Sequence, residues 1–441
     1  FKQKTAYEIR LSLVGSEMCI RDRCRLQRSF LFTAGRGCSF CDHDLLACMN
    51  ILPISGRLMD YAWGNYGVNS IVYRLAGGRT NPHQPAAELW FGAHVKAPSF
   101  ATIGGQAEPL SEILQRFGAQ ILGERSVGRF GVALPFLFKI LSVRTALSIQ
   151  AHPSPELARN LHTADQINYP DSSHKPELAI AISPVSLVCG FRSRREILLQ
   201  AERTPCLANF LPKNNPESTE LAGDALYIRH VYREILTAST AKISDCCRQL
   251  EQQLQGLADR SELESYLLEL FPNFPGGDPG LPSLLVLRQL KLSPGEGIFI
   301  PPNTPHAYLY GELVECMANS DNVVRGGLTA KHCDIAVLLG MLEYDSEQVP
   351  IVKPSGGSLW SNYETPCAEF SVASLRSELI DFEGGGEGSV ELLVCTEGVG
   401  QLRFGDSQLS ISAGGAWIIP ASIERYFVSG FSGTLFRVCI P

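Results

Sequence analysis

The sequence has little charge of either sign in excess, no unbroken apolar run of membrane length and no low-complexity tract. Its 38 Lys and Arg stand against 45 Asp and Glu, a formal net charge of −7. A chain with that balance has no basic field to draw in nucleic acid, so a phosphorylated ligand must be small and held by a few placed cations. The most apolar stretch, FGVALPFLFKILSV at 130–143, is interrupted by Pro135 and Lys139 and is too short to span a bilayer. These absences predict a soluble, cytoplasmic protein with neither a nucleic-acid nor a membrane partner. With 441 residues, 45% of them hydrophobic, the chain is long enough for two or three domains and a sizeable core.

Cysteine is present but lacks the pattern of a disulfide framework. Of the 14 cysteines, Cys19, Cys24, Cys38, Cys41 and Cys48 fall in the first fifty residues. The others are scattered, many inside apolar segments such as SLVCG and FRVCIP, and read as buried thiols of a reducing compartment. Cys38 and Cys41 form a CxxC followed by His43, but Cys48 alone does not supply the second ligand pair of a zinc knuckle. The segment 1–48 has weak periodicity and clustered Arg and Cys. It is expected to be a non-native or disordered leader, with Met49 as a candidate start.

From 51 to 187 the chain reads as short strands and turns. NSIVYRLAG (69–77) predicts a strand, as do FLFKIL, ALSIQA and PELAIAI. LSEILQRFGAQIL (110–122) has apolar residues at helical spacing. SPELARNLHTADQ predicts a second helix, with Ser154 as N-cap and Pro155 at its first position. Residues 192–282 change character: SRREILLQAE, AGDALYIRHVYREILTA, KISDCCRQLEQQLQGLA and SELESYLLELF are amphipathic helices, closed by the Pro- and Gly-rich FPNFPGGDPGLP. Strands return from 283. Two segments then share one grammar. Gly295, Pro301 and His306 in the first correspond to Gly414, Pro420 and Tyr426 in the second, with Pro six positions after Gly in both. The first copy resembles the second motif of cupins, with Asn303 where that motif usually has Gly. The expected architecture is mainly β with an α-helical insert: a catalytic cupin (jelly-roll) barrel from 49–191 and 283–345, the insert at 192–282, and a degenerate C-terminal barrel at 346–441.

Polar side chains at every second position of apolar strands supply candidate ligands. ALSIQAHP puts Ser148, Gln150 and His152 on one face. HKPELAIAI aligns Lys175, Glu177 and Ala179, and PHAYLYGE aligns His306, Tyr308 and Tyr310. Unpaired polar groups at such positions would cost on the order of 1–3 kcal/mol each. Imidazole, carboxylate and amide without thiolate suit zinc in a site with an open position, with Mn, Fe or Co as alternatives.

The segments YAWG, AELWFGAH, PFLFKIL, LSIQAHP, HKPELAIA, PPNTPHAYL and SDNVVRGGLTAKHCD, in that order, resemble the type I mannose-6-phosphate isomerases, zinc-dependent members of the cupin superfamily. The resemblance runs from about Asp60 to the C-terminus. It implies one zinc ion per chain held by Gln150, His152, Glu177 and His306, with Arg325 as the catalytic arginine. It also implies interconversion of mannose 6-phosphate and fructose 6-phosphate through an enediol, a sugar phosphate as sole partner and a monomer. Glu315, Asp321 and Lys175 are candidates for the base that moves the proton, and the residues do not rank them. Lys139 and Ser148 are expected at the phosphate, Tyr308 at the substrate, and Trp63 beside the sugar or packed beneath it. An Arg325–Asp321 ion pair is the structural alternative to a catalytic arginine. A cupin that senses a sugar phosphate without turning it over is the alternative function, and a cupin oxygenase is disfavoured by Gln150 as a ligand.

Overall fold

The computed structural model describes residues 50–77, 81–213, 223–357, 359–386 and 388–441. The expected leader and the Cys38/Cys41/His43 motif lie outside them. Seven strands carry or frame the polar positions singled out above: β1 (Glu88–Gly92), β2 (Phe136–Val143), β3 (Ile149–Ala151), β4 (Glu177–Ala181), β5 (Val185–Phe191), β6 (His306–Ala318) and β7 (Val324–Gly327). All belong to one eleven-stranded sheet, and β6 is its hub. The C-terminal half of β6 pairs with β4 and β2, setting Glu315 opposite Ala179 and Lys139. Its N-terminal half pairs with β5 and β3, setting His306 opposite Cys189 and Gln150. The partners change at Gly311, where φ is 121° and a Cβ would lie 2.7 Å from the carbonyl oxygen of Pro184. Only glycine fits that backbone cheaply.

The jelly roll is thus two facing walls, whose strand path from Ile351–Val352 to Arg57–Met59 does not return on itself among the described residues. Strand alternation then sorts the side chains. Leu141, Ala179 and Leu313 of one wall meet Leu187, Cys189 and Tyr308 of the other in the interior. The outer face of the first wall, with Phe138, Ile140, Val314 and Leu178, packs on the C-terminal sheet through Leu392, Ile418 and Val438. The outer face of the second, with Val188, Phe191 and Leu309, packs on the helical insert through Ile228, Tyr232, Leu250 and Leu267.

The insert contains α1 (Arg194–Arg203), α2 (Asp224–Leu236), α3 (Thr240–Gly256) and α4 (Glu262–Leu270). Ser193 and Ser261 each form a capping box with the Glu three residues on, which satisfies two orphan N–H groups at each helix start. The expected helices at 110–122 and after Ser154 are present as Leu110–Leu122 and Pro155–Ala164. The expected strand at 69–77 is a short helix instead, Ile71–Leu75, capped by Ser70. Its β-branched start argued for a strand, but tertiary anchors override that propensity. The Ile71 N–H donates to Glu312 Oε1 at 2.7 Å, and Ser70 Oγ donates to the Ala86 carbonyl at 2.7 Å.

The C-terminal strands form a ten-stranded sheet that also takes in Leu52–Ser55, Phe100–Ile103 and Gln106–Pro109. The stretch 52–109 therefore feeds both sheets, whereas the sequence reading assigned it to the first alone. Of the nine described cysteines, seven are buried. No described helix is long and apolar enough to cross a membrane.

Two details bear on the site. Asn303 has φ 62°, so the residue standing in the motif's glycine place adopts the left-handed conformation that asparagine tolerates best among residues with a Cβ. Gly327 has φ 143°, and a Cβ there would lie 2.6 Å from the backbone nitrogen of Gly280. The close approach at this glycine is to the chain's own backbone. Gly327→Ala should lower stability by about 1–3 kcal/mol, read as a reduced urea midpoint; an unchanged midpoint would show that β7 can shift freely.

Candidate metal centre and active-site cavity

Register across three short strands brings the first residues together. Gln150 on β3 lies opposite His306 on one side and Arg325 on the other. Directly paired residues share a face, with Cβ atoms about 5 Å apart. Glu177 opens β4 and points into the same interior as Ala179, and His152 follows β3 directly. His152, Glu177 and His306 each offer a ligand atom within 4.8 Å of the others, and all three are buried.

The hydrogen bonds around them fix which atoms face inward. Nδ1 of His152 donates to the Asn322 carbonyl at 3.1 Å, and Nδ1 of His306 donates to the Thr304 carbonyl at 3.0 Å. A carbonyl can only accept, so each neutral ring keeps its lone pair on Nε2. Burial pushes the His152 imidazolium down to about 3, assisted by the Lys175 charge, and burial also lowers His306. Nε2 of His152 therefore meets Glu177 Oε2 at 3.0 Å as one acceptor facing another. Such a pair needs a cation between or beside its members. Burial acts to raise the Glu177 carboxyl, but the Lys175 ammonium beside it works the other way, and the carboxyl is held well below the usual range. Its other oxygen accepts from Tyr308 Oη at 2.5 Å, and Lys175 Nζ stands 3.6 Å from Oε2. Gln150 presents its amide nitrogen to His306 Nε2 at 3.4 Å, and a half-turn of the amide would present its oxygen. The donor set fits a divalent metal: two neutral imidazoles oriented by their second nitrogens, one ionised carboxylate and one amide.

In front of this cluster lies a cavity of about 600 Å³, lined among others by Trp63, Lys139, Ser148, Gln150, Lys175, Glu315, Asp321 and Arg325. Tyr308 does not line it. Expected at the substrate, Tyr308 is instead buried behind Glu177, while Tyr310 points away and packs on Tyr266 of the insert, ring centroids 5.4 Å apart. The cause is a register shift in the β5–β6 pairing between Ser186 and Leu187, which breaks the simple alternation of 306, 308 and 310. Trp63 stacks on Tyr61 at 5.8 Å and packs against the interior cluster while edging the cavity.

Lys139, expected at a phosphate, is buried with its Nζ 2.7 Å from Glu315 Oε2. Burial, with the Glu177 charge, pushes the Glu315 carboxyl up to about 7 despite that lysine. Asp321 pairs with Lys96 at 2.8 Å and with His94 at 3.4 Å. Burial acts to raise it, but these two partners hold it well below the usual carboxylate range. Arg325 has no carboxylate within 4.0 Å among the described residues, so the ion pair with Asp321 is not formed.

Sequence reasoning missed His94, Lys96, Lys331 and Asp171. Asp171 accepts from Ser320 Oγ and from the Asp321 N–H, both at 2.8 Å, and so braces the turn whose Asn322 carbonyl orients His152. Of the four, His94 within AELWFGAH and Lys331 within SDNVVRGGLTAKHCD lie in segments that carry the resemblance; Lys96 and Asp171 do not.

Comparison with known proteins places the chain. Residues 51–194 match the model of the phosphomannose isomerase type I catalytic domain. Mannose-6-phosphate isomerase 2 of Arabidopsis thaliana is 35% identical over 411 residues, 85% of this chain and 90% of that protein. A probable mannose-6-phosphate isomerase of Echinococcus multilocularis is 38% identical over 71% of this chain and 78% of its own length. The crystal structure of mannose 6-phosphate isomerase from Salmonella typhimurium bound to its substrate and zinc superposes with a TM-score of 0.77 at 30% identity, covering 88% of this chain and 99% of that one. Its largely β architecture, the ordered site segments and relatives matched over most of their length lead to one assignment: the chain belongs to the type I phosphomannose isomerase family, with the cupin fold of its members.

Proposed function

We propose that this protein interconverts mannose 6-phosphate and fructose 6-phosphate with one zinc ion held by Gln150, His152, Glu177 and His306. The observation that carries the reading is the pair of inward-facing imidazole lone pairs beside a buried, ionised Glu177, with Arg325, which has no carboxylate partner among the described residues, one strand away. When bound there, zinc supplies Lewis-acid polarisation of the sugar's C1 and C2 oxygens. Arg325 brings a permanent charge and a fixed donor fork to the same oxygens as negative charge develops on them.

Of the three candidate bases, Glu315 fits best. Its carboxyl lies near 7 through burial and the Glu177 charge, a value matched to work at neutral pH. Asp321 is held too acidic by His94 and Lys96, and Lys175 stands against the Glu177 charge. Glu315 takes the proton from C2 of the open-chain aldose; the C–H electron pair becomes the C1–C2 double bond and the carbonyl π pair moves onto O1; the hydroxyl hydrogen then passes from O2 to O1, the C2–O2 carbonyl forms, and the double-bond pair takes the proton back from Glu315 at C1. Lys331 lines the cavity with no carboxylate within 4.0 Å among the described residues, and we assign the phosphate to it, with Ser148 offering a hydroxyl.

Three outcomes test this reading. A coupled assay for fructose 6-phosphate should show turnover that a chelator abolishes and zinc restores; turnover indifferent to a chelator would remove the metal from the reaction. Arg325→Ala should lose about 100- to 1,000-fold in turnover with bound zinc unchanged, whereas His306→Ala should lose both zinc and activity, read by metal analysis of the purified variants. Acid should weaken the metal-stripped protein. His152 titrates near 3 in the fold against about 6.5 in an unfolded chain, so between those values the unfolded state binds more protons and stability falls as pH drops. The comparison is made in Glu315→Gln, because Glu315, raised to about 7, takes up a proton on folding over the same range and offsets the loss; a urea midpoint no lower at pH 5 than at pH 7 in that variant would contradict a buried neutral imidazole.

A further inference from the structure

The cations around the cavity are not equivalent. Lys139 stands in a row of directly paired residues that crosses four strands: Trp90 on β1, Lys139 on β2, Glu315 on β6 and Ala179 on β4. Lys139 is 7% exposed and Glu315 4%. Nζ of Lys139 is 2.7 Å from Glu315 Oε2 and 5.0 Å from the Trp90 ring centroid, and the Trp90 indole N–H donates to the buried Glu88 carboxylate behind it. The ammonium is thus fixed by a carboxylate in front, an aromatic face beside it and a second carboxylate nearby. A phosphate dianion brought to this ammonium would meet two carboxylate charges in a desolvated wall, where like charges repel strongly. Glu315 is held at one oxygen only. No protein donor reaches its Oε1 among the described residues, and its side chain lines the cavity.

We propose that Lys139 is a positioning residue, which tethers Glu315 by Oε2 so that Oε1 is presented to the reacting carbons, and that it does not hold the substrate's phosphate. The inference rests on the reading of Glu315 as the base. A tether of this kind acts on turnover through Glu315 alone, whereas a phosphate ligand acts on binding independently of Glu315.

The zinc-loaded full chain decides between them by steady-state kinetics on mannose 6-phosphate, with wild type, Lys139→Met, Glu315→Gln and the double variant. Lys139→Met should lose about 100-fold in kcat, the scale of a displaced general base, while KM stays within about threefold and inhibition by inorganic phosphate keeps its wild-type Ki. The double variant should be no slower than Glu315→Gln, because residues that act as one unit are not additive. It also removes both buried charges together, so it serves where Lys139→Met fails to fold. A tenfold rise in KM or in the Ki of phosphate for Lys139→Met, or a double variant slowed by the product of the single losses, overturns the tether. A wild-type protein that makes no fructose 6-phosphate sinks the functional reading itself; a working wild type with additive losses sinks the tether alone.

Discussion

Two hydrogen bonds that point away from the reaction decide what this protein can do. Asn322 and Thr304 take the Nδ1 protons of His152 and His306 on their backbone carbonyls. Each ring is thereby left with one free lone pair, aimed inward, in a pocket too dry to protonate it. The Glu177 carboxylate between them is held by Tyr308 and cannot relax away. An electron-rich, desolvated cage of this kind favours a divalent ion, and Lys175, 3.6 Å from Glu177 Oε2, is a cation that the chain itself brings beside it. Much around it can be read as bracing for the two carbonyls: Asp171 beneath the Asn322 turn, and Asn303 in its left-handed conformation next to Thr304.

The second constraint is β6. Because its two halves pair with different partners, one strand contributes His306 to one wall and Glu315 to the other. The metal cluster and the tethered carboxylate are thus set by one continuous piece of backbone. The insert reinforces it from outside: Tyr266 Oη donates to the Leu309 carbonyl at 2.7 Å and accepts from the Ala146 N–H at 2.8 Å. It joins the bulged half of β6 to the loop that bears Ser148.

Much of this was legible in the sequence because strand alternation is a local code. Gln150, His152 and Glu177 betray themselves as polar residues on apolar strands, and Ser154-Pro155 announces a helix start. Legibility ended where register or long-range pairing intervenes. A bulge in the β5–β6 pairing turned Tyr310 outward, and Tyr308 proved to lie behind a ligand instead of at the substrate. Lys139 looked like a free cation because its partner lies 176 positions away. Ile71–Leu75 looked like a strand because Glu312, which anchors it, lies still further off, 241 positions from Ile71. Hydrogen bonds to distant backbone carbonyls leave no trace in residue type at all, so the tautomers of the two histidines emerge only in the folded chain.

The internal repeat carries a consequence of its own. Glu177 pairs with Ile300 just before Pro301, and Glu391 pairs with Ile419 just before Pro420, so the two glutamates occupy matching places. In the second copy Tyr426 stands where the first has His306, and its hydroxyl donates to Glu391 at 3.0 Å. A phenol brings its own hydrogen to the carboxylate, and an imidazole lone pair does not. The first copy's glutamate thus faces the lone pair of His152, whereas the second copy's is met by a hydrogen that Tyr426 supplies. At these two matching places the acid is kept, while the group that asks for charge is exchanged for one that supplies a proton.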